Sequence, residues 1–251
     1  MIENIKKNLS ILKLAGIAKT FEDRISYANE QQISYVDFLR LLIEEELVSR
    51  KNNSLVKRIA KAKIPRLKKI EDFDFKFQPT LNKAQILDLA SCSFIEKKEN
   101  IIFMGNPGTG KTHLSEAIAQ KALLKGYTVL FTNTHQLIDE LQQSKADGTY
   151  YSKLQNYIKP DLLVIDELGY KKFTQNGADD FFEIINQRYE NKSIIITSNK
   201  TFEDWASILY DPVLASAIID RLVHHSKVIV IKGESFRAKF FKESVQNFKK
   251  E

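Results

Sequence analysis

The chain has 251 residues, of which 43% are hydrophobic, so it is long enough to form one sizeable core or two small domains. Its single cysteine, Cys92, excludes an internal disulfide and fits the reducing cytoplasm. No stretch approaches the roughly 20 apolar residues of a membrane-spanning helix, and residues 1–20 lack the unbroken apolar core and the cleavage site of a signal peptide. We therefore expect a cytoplasmic protein that has no membrane partner.

The net charge of +6 comes from the N-terminal part of the chain. Residues 1–70 contain 15 Lys and Arg against 8 Asp and Glu, a net of +7, whereas the remaining residues contain 23 against 24. The segment 50–69 contains nine basic residues and no acidic residue, and we call it the basic segment. Such a cluster is typical of a surface that binds nucleic acid. It is equally typical of a solvated helix face or a charged linker, whereas a lipid-binding helix needs a stronger apolar face.

Residues 1–68 are predicted to form a small, all-helical N-terminal domain, because apolar residues recur at helical spacing in two stretches. The stretches are Ile5, Leu9, Leu12 and Ala15, followed by Phe38, Leu39, Leu42, Ile43 and Leu47. Ser34 and Asp37 indicate a helix start, with the second stretch as its buried stripe. Glu44–Glu46 are expected to face solvent. Pro65 is expected to end the basic helix, because a proline disfavours helical geometry in the residue before it.

The second predicted domain covers residues 69–251 and begins with an extended segment at 73–79, where aromatic and polar residues alternate. From residue 80 onward, short apolar segments rich in β-branched residues alternate with helical patterns. The predicted strands are 101–104, 128–132, 162–165, 193–197 and 228–231, and the predicted helices lie near 113–124, 134–145, 177–190 and 212–224. This alternation predicts an α/β fold with a five-stranded parallel sheet and helices on both faces. Residues 144–151 are the best candidate for a mobile loop.

Residues 105–112 match the phosphate-binding pattern G-x-x-x-x-G-K-[ST]. The predicted nucleotide contacts are Gly105, Asn106, Pro107, Gly108, Thr109, Gly110, Lys111, Thr112 and the following His113. The glycines let backbone amides approach the α- and β-phosphates of a nucleoside triphosphate. Lys111 is expected to reach the β- and γ-phosphates, and the Thr112 hydroxyl to ligate Mg²⁺. A predicted strand precedes this phosphate loop and a predicted helix follows it, as the motif requires.

Asp166 and Glu167 directly follow the predicted strand 162–165. At this end of a parallel sheet, Asp166 is expected to hold Mg²⁺ through water and Glu167 to polarise a water that attacks the γ-phosphate. A second carboxylate favours hydrolysis over transfer to a substrate hydroxyl, so it argues against a small-molecule kinase. The alternative is that both carboxylates only cap the next element.

Three residues further along the chain are suited to act on the γ-phosphate. Asn199 follows the fourth predicted strand, where it is expected to orient water, the alternative being an ordinary turn residue. Arg221 and Arg237 each offer a guanidinium that can stabilise the charge of the transition state. Either arginine can instead pair with a surface carboxylate, as Arg221 can with Asp220.

The histidines do not indicate a metal site by their spacing. The chain has four histidines, and only His224 and His225 are adjacent. No cysteine or further histidine lies at ligand spacing from that pair or from His113. The one predicted metal is therefore Mg²⁺, held by Thr112 and Asp166.

Six short segments, taken in order, resemble one known family. They read Gly-Asn-Pro-Gly-Thr-Gly-Lys-Thr-His-Leu, Leu-Val-Ile-Asp-Glu-Leu-Gly-Tyr, Ile-Thr-Ser-Asn-Lys, Asp-Pro-Val-Leu-Ala, Asp-Arg-Leu-Val-His-His and Gly-Glu-Ser-Phe-Arg. Together they resemble the IstB-like helper ATPases of insertion-sequence transposition, which are AAA+ proteins related to the DnaC-type helicase loaders. The resemblance covers nearly the whole chain. The later segments are much more specific than the phosphate loop alone.

That resemblance implies an oligomer that binds ATP, Mg²⁺ and duplex DNA and acts with a transposase encoded beside it in target selection and strand transfer. It implies ATP sites between subunits, with Arg221 as an arginine finger from a neighbour, Asn199 as sensor 1 and Arg237 as a sensor-2-like residue. Only 14 residues follow Arg237, so a full C-terminal lid is not expected. The basic segment becomes the expected contact to the DNA backbone. Its contacting residues are expected to be Lys57, Arg58, Lys61 and Arg66.

Two other functions fit the same motifs. A replicative helicase loader would use the same ATPase core, grip a helicase with its N-terminal region and prefer single-stranded DNA. A passive, nucleotide-gated DNA clamp would bind ATP and hydrolyse it too slowly to matter. Glu167 separates hydrolysis from passive binding, and the gene beside this one separates transposition from replication.

Overall fold

A computed structural model describes residues 2–239 of the chain. The chain divides into two compact units, and the boundary between them in the sequence lies between Ala60 and Lys61. This division falls inside the basic segment. The extent of the ATPase domain, 69–251, stays a prediction.

The first unit is helical. Its helices are α1 (Ile2–Ile11), α2 (Ala15–Gln31) and α3 (Tyr35–Ala62). The start of α3 is confirmed, because the Asp37 amide donates to Ser34 Oγ at 3.1 Å, and the helix ends before Pro65 as expected. Its small core contains Ile17, Phe21 and Leu42. The predicted buried stripe on α3 is only partly right. Leu39, Ile43 and Leu47 are about half exposed.

The prediction that Glu46 faces solvent is wrong. Its side chain is buried, and Oε2 accepts hydrogen bonds from the amides of Gly16 at 2.7 Å and Ile17 at 3.2 Å, in the first turn of α2. Arg50 Nε donates to the other carboxylate oxygen at 2.7 Å. These hydrogen bonds lower the pKa of Glu46, and the one from Arg50 has the largest effect. Glu46 therefore caps α2, which has no side-chain cap of its own.

The second unit contains a five-stranded parallel sheet, which confirms the predicted fold class. The strands are β1 (Asn100–Gly105), β2 (Val129–Asn133), β3 (Leu162–Leu168), β4 (Ser193–Ser198) and β5 (Ser226–Ile231). Their spatial order is β2-β3-β4-β1-β5, so β1 lies between β4 and β5. Because all strands are parallel, the residues that follow β1, β3 and β4 lie along the same edge of the sheet.

Helices cover both faces of this sheet. They are α4 (Lys83–Ala90), α5 (Ser93–Glu96), α6 (Lys111–Leu124), α7 (Thr134–Ala146), α8 (Tyr150–Ile158), α9 (Gln175–Arg188), α10 (Phe202–Ile208) and α11 (Pro212–His224). Ile102 and Met104 of β1 pack in one core cluster with residues of α7 to α11. Ile101 and Phe103 point to the opposite face, since side chains alternate along a strand, and they are fully buried as well. Both faces are thus apolar, as the sequence pattern predicts.

Two local predictions need correction. Residues 73–79 form successive turns instead of an extended segment, because Asp74 Oδ1 accepts the amides of Lys76 at 3.0 Å and Phe77 at 3.1 Å. Residues 144–151 are not a long loop, since α7 and α8 occupy most of this stretch. The turn between those helices is closed by Asp147 Oδ1, which accepts the Thr149 amide at 3.0 Å. Within residues 2–239, no helix is long and apolar enough to cross a membrane.

Candidate functional site

The phosphate loop joins the end of β1 to the start of α6. Gly108 and Gly110 have φ angles of +80° and +97°, in the left-handed region that favours glycine. Neither position has room for a side chain. A Cβ at Gly108 would lie 2.1 Å from Ser235 Oγ, and one at Gly110 would lie 2.4 Å from the ring of Phe73. The glycines are therefore required by both the backbone conformation and the close packing around the loop.

Lys111 lies buried at the centre of this loop. Its ammonium donates to the carbonyls of Gly105 at 2.7 Å and Asn106 at 2.8 Å. Burial lowers the pKa of Lys111, and the nearby Asp166 carboxylate partly opposes that effect. The loop thus concentrates a positive charge among backbone amides at the N-terminus of α6, an arrangement suited to polyphosphate.

Thr112 and Asp166 meet beneath the loop. The Thr112 hydroxyl lies 3.0 Å from Asp166 Oδ1, and the Thr197 hydroxyl donates to the same oxygen at 2.5 Å. Burial raises the pKa of Asp166, while the hydrogen bonds from Thr197 and Thr112 oppose this shift. The Thr197 hydroxyl also accepts a hydrogen bond from the Glu167 amide at 3.0 Å, so this one hydroxyl on β4 contacts and positions both acidic residues. The role of Thr197 was not predicted from the sequence.

Glu167 lies at an irregularity in β3, where the pairing register with β4 shifts between Ile165 and Leu168. Its φ angle is +61°, an uncommon conformation for a residue other than glycine. The side chain is exposed, and Oε2 accepts a 2.6 Å hydrogen bond from the Asn133 amide at the end of β2. The bulge separates the two carboxylates. Asp166 points into the protein and Glu167 toward solvent.

Asn199 directly follows β4, which lies between β3 and β1 as its predicted role requires. The pairing of Met104 with Ser198 places the residue after β4 beside the start of the phosphate loop. Asn199 is exposed there. Its position at the edge of the sheet is therefore that expected from the sequence, and its contact with the γ-phosphate stays a prediction.

The segment after β5 packs on the phosphate loop. The Phe236 amide donates to the Gly108 carbonyl at 3.0 Å, and Ser235 lies against Gly108. Arg237 is close enough to Lys111 for its charge to contribute to lowering the pKa of that lysine. Arg237 is exposed, so its guanidinium is available near the loop.

An aromatic cavity that was not predicted from the sequence lies beside the loop. It is open to solvent on one side, comprises about 330 Å³ of space including that opening, and is lined by Asp72, Phe73, Asp74, Phe77, Gln78, Thr109, His113 and Phe236. The Phe73 and His113 rings meet edge to face with centroids 5.5 Å apart, and Phe77 meets Phe236 at 5.3 Å. His113 Nε2 also lies 2.9 Å from the Lys69 carbonyl. The alternating aromatic residues at 73–79 are the available signal, although their alternation predicts an extended segment.

Arg221 lies far from the phosphate loop of its own chain. It is one turn from the end of α11. The next residue after that helix, His225, accepts a hydrogen bond at its carbonyl from the amide of Asn100, the first residue of β1. The loop follows the other end of β1, about 17 Å away at 3.3 Å per residue. Arg221 Nε donates to Asn186 Oδ1 at 3.1 Å, and its guanidinium lies over the Phe182 ring at 5.0 Å. Arg221 Nη1 also donates to the Ala217 carbonyl at 3.1 Å, and among the described residues Arg221 forms no ion pair with Asp220.

The four predicted DNA contacts are all near the end of α3. Lys57 and Arg58 belong to the first unit, and Lys61 and Arg66 to the second. Lys57, Lys61 and Arg66 are exposed, while Arg58 is half-buried and donates to Ser54 Oγ at 2.6 Å. Burial raises the pKa of Glu116, and the charges of Lys68 and Arg66 partly oppose that effect, so Arg66 lies near an acidic group of the second unit.

The sheet order and the loop after β1 define a P-loop AAA+ ATP-binding fold, and solved structures agree. The DnaC helicase loader is similar with a TM-score of 0.53 and 28% identity, over 59% of this chain and 87% of that one. DnaI is similar with a TM-score of 0.57 and 27% identity, over 67% of this chain and 92% of that one. AMPPCP-bound DnaA from Aquifex aeolicus shares the fold at a TM-score of 0.52 and 23% identity, over 72% of this chain and 55% of that one.

Sequence relatives define the family more narrowly. Residues 7–244 match the family described as IstB-like ATP binding protein. Relatives named "putative ATP-binding protein" of an insertion sequence match most of the chain. That of IS5376 from Geobacillus stearothermophilus is 41% identical over 94% of both chains, and that of IS21 from Pseudomonas aeruginosa is 39% identical over 92% of this chain and 87% of its own. The chain therefore belongs to the IstB-like family of ATP-binding proteins.

Proposed function

We propose that this protein hydrolyses ATP at sites formed between subunits and uses that cycle to control its assembly on duplex DNA together with a transposase. The observation that carries the proposal is the joint placement of Lys111, Asp166 and Glu167 at one edge of the sheet. Lys111 lies in the phosphate loop, and Thr197 fixes the two acidic residues beneath it. Aromatic side chains beside the loop offer a pocket for the purine base. Arg221 can reach the γ-phosphate only from a neighbouring subunit.

Magnesium fits the pair formed by Thr112 and Asp166. Both offer hard oxygen ligands, and the hydroxyl lies 3.0 Å from the nearer carboxylate oxygen. The Thr112 hydroxyl can bind the ion directly, and Asp166 can hold it through one of the waters that Mg²⁺ keeps. The bound ion would neutralise charge on the β- and γ-phosphates.

Glu167 is the residue that we assign to hydrolysis. Its exposed carboxylate lies next to the magnesium pair but is not buried with it, so it can accept a proton from an attacking water. A small-molecule kinase would hold an acceptor hydroxyl at that place. The phosphate loop, this carboxylate and Asn199 together favour ATP and water as the reactants.

The aromatic cavity is suited to the adenine base. It begins at Thr109 of the phosphate loop and is walled by Phe73, Phe77 and His113, whose ring faces can stack on a purine. Replacing Phe73 by Ala is expected to weaken ATP binding about tenfold, the effect of one lost stacking contact. Inorganic triphosphate does not use the cavity, so its binding should stay unchanged.

Arg221 supports a site that is completed by a second subunit. Its position near the opposite edge of the sheet prevents contact with the γ-phosphate of its own chain. A neighbouring subunit that docks this edge against the phosphate loop would bring the guanidinium to the transition state. ATP hydrolysis would then depend on assembly.

The partners follow from the family and the charge distribution. The relatives are proteins of insertion sequences, which implies a transposase as the partner. The exposed lysines and arginines of the basic segment supply the phosphate contacts to DNA. A helicase-loading role is the second candidate, because DnaC and DnaI share the fold over most of their length. Tighter binding to single-stranded than to duplex DNA would favour that candidate.

The direct test of the nucleotide site is the Lys111→Ala variant, compared with Lys121→Ala. Lys121 lies on the same helix but pairs with Glu71 at 3.0 Å, away from the loop. We expect Lys111→Ala to lose ATP binding and ATP-dependent assembly on DNA, and Lys121→Ala to keep both. Normal ATP-driven DNA binding by Lys111→Ala would overturn the site assignment.

A further inference from the structure

A second cluster of polar side chains lies at the sheet edge opposite the phosphate loop. Glu190 follows the end of α9, and His224 and His225 lie at the end of α11. One ligand atom from each of these three residues lies within 4.8 Å of the others. We propose that these residues form a binding site for a transition-metal dication of the zinc class, separate from the ATP site.

The ligand types match such an ion. Two imidazoles and one carboxylate are the combination that suits zinc, nickel and copper, whereas magnesium and calcium prefer oxygen ligands alone. His225 Nε2 lies 3.3 Å from Glu190 Oε1. Two ligands of a tetrahedral ion with bonds of 2.0–2.1 Å are about 3.3 Å apart, so this pair already has the required spacing. The ligand atom of His224 lies within 4.8 Å of both, so a small movement of this exposed side chain completes the site.

The neighbouring Tyr189 orients the two imidazoles, and two helix ends make the site favourable for a cation. The Tyr189 hydroxyl lies 2.6 Å from His224 Nδ1, and histidines that bind metals ordinarily have one ring nitrogen held in this way. The Tyr189 ring stacks on both imidazoles, at interplanar angles of 26° and 27°. The C-terminal ends of α9 and α11 add the partial negative charge of two helix dipoles. Glu190 is held at a φ of +57°, which is uncommon for a glutamate and directs it to this corner.

A bound ion would connect the end of α11, which carries Arg221, to the end of α9, which carries its partner Asn186. Arg221 lies on α11 and donates to Asn186 of α9, one turn or less from the proposed ligands on each helix. The ion would therefore rigidify the helix pair that presents this arginine. The spacing of the histidines along the sequence gave no third ligand, because Glu190 is brought to them only by the fold.

The test uses the untagged, full-length protein after treatment with a chelator, in the absence of nucleotide. Calorimetric titration with Zn²⁺, and with Co²⁺ as a visible absorption probe, measures affinity and stoichiometry. The variants are Glu190→Gln and the double variant His224→Ala, His225→Ala. The matched control is His135→Ala, which removes an exposed histidine 3.2 Å from Asp139. Cys92 is buried and does not compete for the ion.

We expect one ion per chain in the unaltered protein and in His135→Ala, and at least a tenfold loss of affinity in both site variants. Saturating Zn²⁺ should raise the Tm of the unaltered protein by roughly 5 °C and leave that of the double variant unchanged. Glu190→Gln preserves size, so its loss of affinity cannot be attributed to misfolding. Absence of one-to-one binding, or equal affinity in the site variants, would overturn the proposal.

Discussion

The side-chain amide of Asn133 donates a 2.6 Å hydrogen bond to Oε2 of Glu167, and so ties the proposed catalytic carboxylate to the end of the neighbouring strand. Asn133 Oδ1 accepts a hydrogen bond from the backbone amide of His135 at 2.9 Å and so caps α7. The orientation of Glu167 is therefore coupled to the start of that helix. While this hydrogen bond is formed, Oε2 is occupied by Asn133 and held toward β2, so it is less available to an attacking water.

Removing this hydrogen bond should raise ATP turnover measured without DNA. Asn133→Ser keeps a residue that can cap α7 but cannot reach Glu167. We expect turnover to rise about two- to tenfold, which corresponds to one hydrogen bond. Asn156→Ser, an exposed asparagine on α8, is the control and should not change the rate. A rate at or below that of the unaltered protein would show that Asn133 supports catalysis instead of restraining it.

Arg221→Ala should retain ATP binding and lose turnover by about 10³-fold or more, as expected for an arginine finger. Mixing it with Glu167→Gln protein tests whether the arginine acts on a neighbour. By random assembly, roughly one interface in four then combines an intact Glu167 with an intact Arg221. Activity should reappear in the mixture although each variant alone is inactive. A mixture as inactive as its components would mean that Arg221 does not act across subunits.

Neutralising the four DNA contacts should reduce the dependence of DNA binding on salt. The residues changed to Gln are Lys57, Arg58, Lys61 and Arg66, and the control set is Lys97, Lys98, Lys125 and Lys159. If all four contact phosphates, the slope of log K against log salt should fall in magnitude by about 3 to 4 for duplex DNA. The control set should leave the slope unchanged. An unchanged slope in the first variant would make the basic segment a solvated surface.

Glu46 should stabilise the first unit in a pH-dependent way. Its pKa is lowered in the folded protein, mainly by Arg50, so its contribution is complete above the ordinary value of 4.5 and is lost as pH falls through the folded value. Glu46→Gln should reduce the free energy of unfolding at pH 7 by about 1 to 2 kcal/mol, the size of a lost helix cap. In urea unfolding, the difference from the unaltered protein should shrink below pH 4.5. Glu44→Gln, which changes an exposed residue on the same helix, should show no such difference.

The parts of the fold that repeat a simple pattern were predictable from sequence. The five strands are buried on both faces, so their apolar runs stand out, and residues 105–112 are contiguous in the chain. Asp166 could be placed for the same reason, since it directly follows a strand. The short helices α8 and α10 are not among the predicted elements because about two turns of pattern are too short to stand out, although Thr201 and Asp204 form a capping box at the start of α10.

Contacts between residues distant in sequence could not be predicted from one chain. Glu46 was interpreted as solvent-facing because a charged residue is rarely buried, and its partners Gly16 and Ile17 lie about 30 positions away. Likewise, nothing local connects Phe73 to Gly110. Such contacts decide where the aromatic cavity lies and which residues support Glu167.

The central claim is that Glu167 activates water for hydrolysis at an ATP site built on the phosphate loop. Glu167→Gln keeps the shape of the side chain and removes its basicity, so ATP binding and single-turnover hydrolysis can be measured on the same sample. We predict ATP affinity close to that of the unaltered protein and a hydrolysis rate that is lower by about 10²-fold or more. Unchanged hydrolysis in this variant, at unchanged affinity, would contradict the account.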